Sequence, residues 1–293
     1  MLKWTVLVVA FVAGSCFAQP RADRLVYVAS TPCDAGIKSV LTIPVDLKCD
    51  FIRWELTLNA APKTFSLGII FGQGEPNTPG FRGGGQRLSF TGRVEIEKRE
   101  KREIYLLKST QPATQVSLIK INENLFHILT LESRLMVGTG GWSYTINRQE
   151  PVTQIVAALA TNGSTKAPAA QMVFVGRTPC REIEWYIEVP PNTDCPKIKW
   201  KLTLFSDPVT KEPTTYTLSR TLHRSSLIEG KWRITRGDGA NFAALVYQLD
   251  PDKPERSISL ALADQDLLLF LDKNGRPLTG NADFSYTLNR TDK

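Results

Sequence analysis

One stretch is written twice in this chain, and it constrains the fold more than any other feature. Thr31-Pro32-Cys33 is followed by fifteen residues, then Cys49 and the run Ile52-Arg53-Trp54-Glu55-Leu56-Thr57-Leu58. Thr178-Pro179-Cys180 is followed by fourteen residues, then Cys195 and Ile198-Lys199-Trp200-Lys201-Leu202-Thr203-Leu204. In each copy two cysteines bracket a hairpin-sized insert. The run that follows alternates apolar and polar residues, the period of a strand with one buried face. A chain carrying two such units must close two similar β structures.

The repeat reaches both ends of each unit. From residue 116 to 148, adding 142 to a residue number lands on a matching residue without a gap. Trp142-Ser143-Tyr144-Thr145-Ile146-Asn147-Arg148 meets Phe284-Ser285-Tyr286-Thr287-Leu288-Asn289-Arg290, and Gly92-Arg93-Val94-Glu95-Ile96 meets Gly230-Lys231-Trp232-Arg233-Ile234. Strand-like runs in the first unit cover 25–30, 37–43, 52–58, 64–71, 88–96, 104–108, 116–121, 125–131 and 142–147, with turn residues between them. Short consecutive strands with short turns predict an antiparallel, up-and-down order, and closure removes the exposed edges of an open sheet. The expected fold is all-β, two tandem small antiparallel barrels of about eight strands each. Trp54, Phe65 and Trp142, with counterparts Trp200, Tyr216 and Phe284, are expected to line the barrel interiors. Eight strands enclose a space that side chains fill or that holds one small ligand.

Residues 1–18 have the layout of a signal peptide: Lys3, an apolar run over 4–13, then small residues ending at Ala18. That run is too short for a comfortable membrane span, and no later stretch is apolar enough to make one. Cleavage after Ala18 gives a periplasmic or extracellular protein. Lipidation of Cys16 after Ala13-Gly14-Ser15 gives an outer-membrane lipoprotein instead. The expected domains are 1–18 signal peptide, 19–148 first barrel, 149–170 linker and 171–293 second barrel. The net charge is +7, or +6 without Lys3, spread along the chain with acids interleaved. The densest charged run, 97–103, alternates in sign as a solvated hairpin tip does, so nucleic acid is not an expected partner.

Four cysteines remain after such cleavage. An even number in an exported protein reads as disulfides. Of three connectivities, only Cys33–Cys49 with Cys180–Cys195 gives both copies the same internal bond. Each would be worth about 3 kcal/mol in the chain-entropy model. Other chemistry is sparse. Soft-metal or copper ligation would call on His127, His223, Met136 and Met172, which do not cluster in sequence. Neither histidine sits in a hydrolase motif. The glycines of 72–85 do not lead into a helix N-terminus, so they lack the mechanism of a phosphate-binding loop.

A Pro-Cys near the start, a second Cys, and then Ile-x-x-x-Leu-x-Leu resembles the N-terminal domain of NlpE, the copper-resistance and envelope-stress lipoprotein family. Gly230-Lys231-Trp232-Arg233-Ile234 is similar to that domain's Gly-x-Trp strand. Leu268-Leu269-Phe270-Leu271-Asp272-Lys273-Asn274-Gly275-Arg276-Pro277-Leu278, closing on Phe284-Ser285-Tyr286-Thr287-Leu288, is similar to its final hairpin. The resemblance implies a small lipocalin-like barrel and a role in envelope stress or copper homeostasis. The family's cysteines form a Cys-x-x-Cys, whereas here the pair is pulled apart, which favours a structural disulfide over a copper or redox site. The expectation is a non-enzymatic exported protein that binds an envelope protein or a small apolar ligand. A metal-binding or thiol-redox protein using the two cysteine pairs is the alternative.

Overall fold

The computed structural model describes residues 24–76, 78–99, 102–152, 168–183, 195–221, 225–237 and 244–292. The expected signal peptide with Cys16, most of the 149–170 segment and His223 lie outside the described residues.

Sixteen strands form two closed antiparallel barrels in tandem. The first uses β1 (Arg24–Pro32), β2 (Phe51–Asn59), β3 (Thr64–Gly72), β4 (Gln86–Arg99), β5 (Arg102–Thr110), β6 (Ala113–Asn122), β7 (Leu125–Ile128) and β8 (Thr145–Arg148). The second uses β9 (Gln171–Thr178), β10 (Ile198–Ser206), β11 (Pro213–Thr221), β12 (Ser225–Arg236), β13 (Leu245–Leu249), β14 (Ile258–Asp264), β15 (Leu267–Phe270) and β16 (Thr287–Arg290). Each strand pairs with the next, and β1 with β8, and β9 with β16, close the rings. Even the irregularities repeat. The ladder slips between Lys120 and Asn122, and again 142 residues later between Leu262 and Asp264.

Alternation along the strands fills each interior. Ile52, Trp54, Leu56 and Leu58 of β2 point into the first core, and Ile198, Trp200, Leu202 and Leu204 of β10 into the second. Each core tryptophan carries a polar N–H, which needs a partner once buried. Trp54 Nε1 donates to Thr31 Oγ1 at 2.8 Å, and Trp200 Nε1 donates to Thr178 Oγ1 at 2.8 Å. Both threonines are fully buried. Hence the Thr-Pro-Cys triplet and the tryptophan recur together: one supplies the acceptor for the other.

The cysteines join as Cys33–Cys49 and Cys180–Cys195, with Cα atoms 5.7 Å and 5.9 Å apart. The first insert differs from the expected hairpin. Residues 37–43 are not a strand; Ala35–Val40 is a short helix, α1, with Asp34 as N-cap accepting from the Ile37 amide at 3.1 Å. Ile37, Val40, Leu41 and Ile43 drop into the first core from this cap, and Tyr144 Oη donates to Asp34 Oδ2 at 2.5 Å. A strand here would have set Val40 on the face opposite Ile37, Leu41 and Ile43. The helical turn brings Val40 and Leu41, three and four residues on, to the side of Ile37. In the second copy only Arg181–Ile183, a 3-10 turn, falls among the described residues, with Ile183 buried.

A third apolar core lies between the barrels. The outward faces of β5, β6 and β7 pack against those of β13, β14 and β15. Ile119 and Ile121 correspond by the 142-residue offset to Ala261 and Ala263, and Leu125 and Leu129 to Leu267 and Leu271. The contact is therefore a pseudo-twofold, self-complementary interface of the kind a symmetric dimer makes.

Candidate functional site

The interface is locked by residues that exchange places. The segment before β8 crosses to the second barrel, where Gly138 N donates to Asn289 Oδ1 at 2.8 Å. The segment before β16 crosses back, and Gly280 N donates to Asn147 Oδ1 at 2.8 Å. Ser143 and Ser285 hydroxyls meet at 2.6 Å, and Thr145 and Thr287 hydroxyls at 2.8 Å. A Cβ on Gly138 or Gly280 would stand 2.2 Å from a carbonyl oxygen, that of Trp142 or Phe284, so both positions require glycine.

His127 breaks this symmetry. It occupies the position of Leu269, faces the interface and is 2 % exposed. Its Nε2 lies 2.8 Å from the Met136 carbonyl oxygen, which can only accept, so Nε2 carries the proton. Nδ1 then accepts from Thr145 Oγ1 at 3.1 Å, and Thr145 accepts in turn from Thr287. Burial pushes its pKa down to about 4, so the ring is neutral. Met136 and Met172 are buried in different barrels, Met136 in the first core and Met172 in the second.

The crossing segments end on Trp142 and Phe284. These two residues do not line the barrels; both are half-buried and face a cleft of about 600 Å³ at the edge of the interface. The physical reason lies one residue downstream. Ser143 and Ser285 are consumed in the interface, and the chain has not yet entered the strand that would turn these rings inward. Of the six expected lining residues, Trp54, Phe65, Trp200 and Tyr216 are in the cores. Tyr216 Oη there donates to Asp250 Oδ2 at 3.0 Å. Apolar side chains of the strands form one buried core in each barrel.

The cleft has aromatic walls. Phe81, Phe51 and Trp142 stack in series, with centroids 4.1 Å and 4.9 Å apart and interplanar angles of 14° and 12°. The guanidinium carbon of Arg177, from the second barrel, sits 5.7 Å over the Trp142 ring. Lys197 Nζ sits 5.6 Å over Phe284. Part of the glycine-rich 72–85 connection forms a further wall, held by Gly74 N donating to Asp50 Oδ2 at 2.8 Å and Arg53 Nη2 donating to Pro79 O at 3.0 Å. Arg53 also bridges the barrels through Asp283 at 2.6 Å.

Position by position, the two copies diverge here. Matching Thr31 to Thr178 sets Ser30 opposite Arg177, and matching Ile52 to Ile198 sets Phe51 opposite Lys197. Ser30 Oγ donates to Ala282 O at 2.8 Å, an ordinary interface bond. Arg177 instead lies over the Trp142 ring, with its Nε buried and unpartnered among the described residues. The sequence did hold one signal for the interface. β15 reads Leu267-Leu268-Leu269-Phe270, apolar on both faces, as a strand must be when a core lies on either side.

No family model, curated protein or solved structure matches this chain. Fold and geometry thus define it as a two-barrel protein with an aromatic, cation-bearing cleft between its halves.

Proposed function

We propose that this is a non-enzymatic, exported envelope protein of the NlpE-like kind that acts by binding a small ligand in the inter-barrel cleft. The observation that carries this is where concavity and unsatisfied polarity coincide. Each barrel carries a buried apolar core, and Trp142, Phe284, Arg177 and Lys197 converge on a space of about 600 Å³ between the barrels. That volume lies in the range of small-molecule sites, which combine apolar walls with a few polar groups. Two disulfides support an oxidising compartment. A role in envelope stress or copper homeostasis is part of the same proposal and is supported by the resemblance in motif order.

Ligand screening by calorimetry on the purified mature protein, with Trp142→Ala as the control, tests this reading. Saturable binding that the substitution weakens is the expected result. Robust turnover of a substrate by the purified protein would overturn it. The alternative, metal or thiol-redox chemistry at the cysteines, needs free thiols. All four sulfurs are paired here, and Cys33 and Cys180 are buried. Free-thiol titration separates the two readings: titratable thiols that take up Cu(I) would favour the alternative.

A further inference from the structure

Two cations, Arg177 and Lys197, line the cleft. Neither Arg177 nor Lys197 forms an ion pair among the described residues. Arg177 is half-buried, and its Nε is a buried donor with no hydrogen-bond partner. Burial holds its pKa below the usual arginine value. Lys197 is exposed; burial lowers its pKa first, repulsion from Arg177 and Lys199 adds to that, and the carboxylate of Asp283 opposes it. A half-buried cation without a paired anion, as Arg177 is, is costly and is rarely kept without a use.

Nearby carboxylates leave Arg177 without an ion pair among the described residues. Asp283 lines the cleft, but its Oδ1 is taken by Arg53. Glu75 also lines it, exposed on the 72–85 connection, and makes no ion pair. Three rings line the cleft, Trp142 in series with Phe51, and Phe284 at the position equivalent to Trp142 in the repeat. An arginine stacked over an indole keeps its N–H edge free for bidentate contact with a carboxylate.

We propose that the cleft is a site for a planar aromatic carboxylate. Arg177 and Lys197 bind the carboxylate, and the rings of Trp142 and Phe284 hold the aromatic body. The proposal rests on the cleft being the ligand site and adds the ligand's chemical class. The departure from pseudo-twofold symmetry gives it independent support. In the copy of the motif where Ser30 stands, the side chain is spent on the interface, and where Phe51 stands, a ring completes the stack. Only the second copy places cations at these two positions, and both face rings of the crossing segments. One barrel thus contributes most of the aromatic stack and the other the charge, so the site exists only when both barrels are docked.

Calorimetry with 2-naphthoate and its neutral analogue 2-naphthylmethanol tests this on the full mature protein. The anion should bind at least tenfold more tightly than the alcohol. Arg177→Gln should remove most of that preference, and Trp142→Ala should weaken both. Lys197→Met, at an exposed side chain, should lower the anion's affinity more than the alcohol's. Arg177→Lys should restore part of the preference. Binding of both probes with no preference for the anion overturns the ligand class and leaves the cleft as a ligand site. Absence of binding by either probe overturns the ligand class and removes the support for the cleft as well.

Discussion

Acid should weaken this protein through one buried histidine. In the folded chain His127 is neutral with a pKa of about 4, against 6.5 for the free side chain, because burial between the barrels penalises the charged ring. The unfolded chain therefore takes up the proton first. Stability is complete above about pH 6.5 and falls as pH drops through the window down to about 4. Those two values give a loss of about 2 kcal/mol between pH 7.5 and pH 5, approaching about 3 kcal/mol at lower pH. Urea unfolding at a series of pH values measures it. Carboxylates titrate in the same range, so the informative quantity is the difference between the wild type and His127→Leu. Leucine is what the second copy carries at the equivalent place, Leu269, and it fits the same apolar surroundings. The variant should lose about 2 kcal/mol less than the wild type on going to pH 5. Parallel pH profiles, within about 0.5 kcal/mol, would refute the reasoning. They would mean that His127 gains its proton without breaking the Met136 and Thr145 contacts.

Further outcomes follow from the repeated contacts. Thr31→Val and Thr178→Val each leave a buried indole N–H without an acceptor, and each should cost about 1–3 kcal/mol in urea denaturation. A loss below about 0.5 kcal/mol would remove the threonine from the account of the motif. Asn147→Ala removes the acceptor for Gly280 N and the donor to Asn281 O. Amide exchange in 280–284 should accelerate while that of the β1–β2 ladder stays unchanged, which would separate docking of the barrels from folding of each. Cys33→Ser with Cys49→Ser should lower stability by about 3 kcal/mol, read from the unfolding midpoint, as expected for a loop closed by residues 16 apart.

The architecture was legible because it rests on local rules. Period-two alternation marked β2 and β10, the regular turns set the strand rhythm, and the doubled order of motifs set the number of barrels. The cysteine insert was misread over 37–43. Apolar residues at Ile37, Val40, Leu41 and Ile43 are too few to distinguish a strand from one helical turn, and the decisive cue, Asp34 as N-cap, is a single residue. Trp142 and Phe284 were assigned to the barrel interiors because bulky aromatic residues beside strands usually go there. They were displaced because their neighbours Ser143 and Ser285 bond to one another across the interface.

The sequence by itself determined two β units, their strand order and the cysteine pairs, since each follows from periodicity and repetition along the chain. Only the tertiary structure decided how the units meet and what the meeting creates. Docking pairs residue with residue across the 142-residue offset; the two-faced apolar run of β15 marks an outward face as covered, but no local pattern records what covers it. Arg177 over Trp142 and Lys197 over Phe284 arise from that docking alone. Their partners are distant in sequence, and a desolvated cation can be recognised only once the surface that desolvates it is in place.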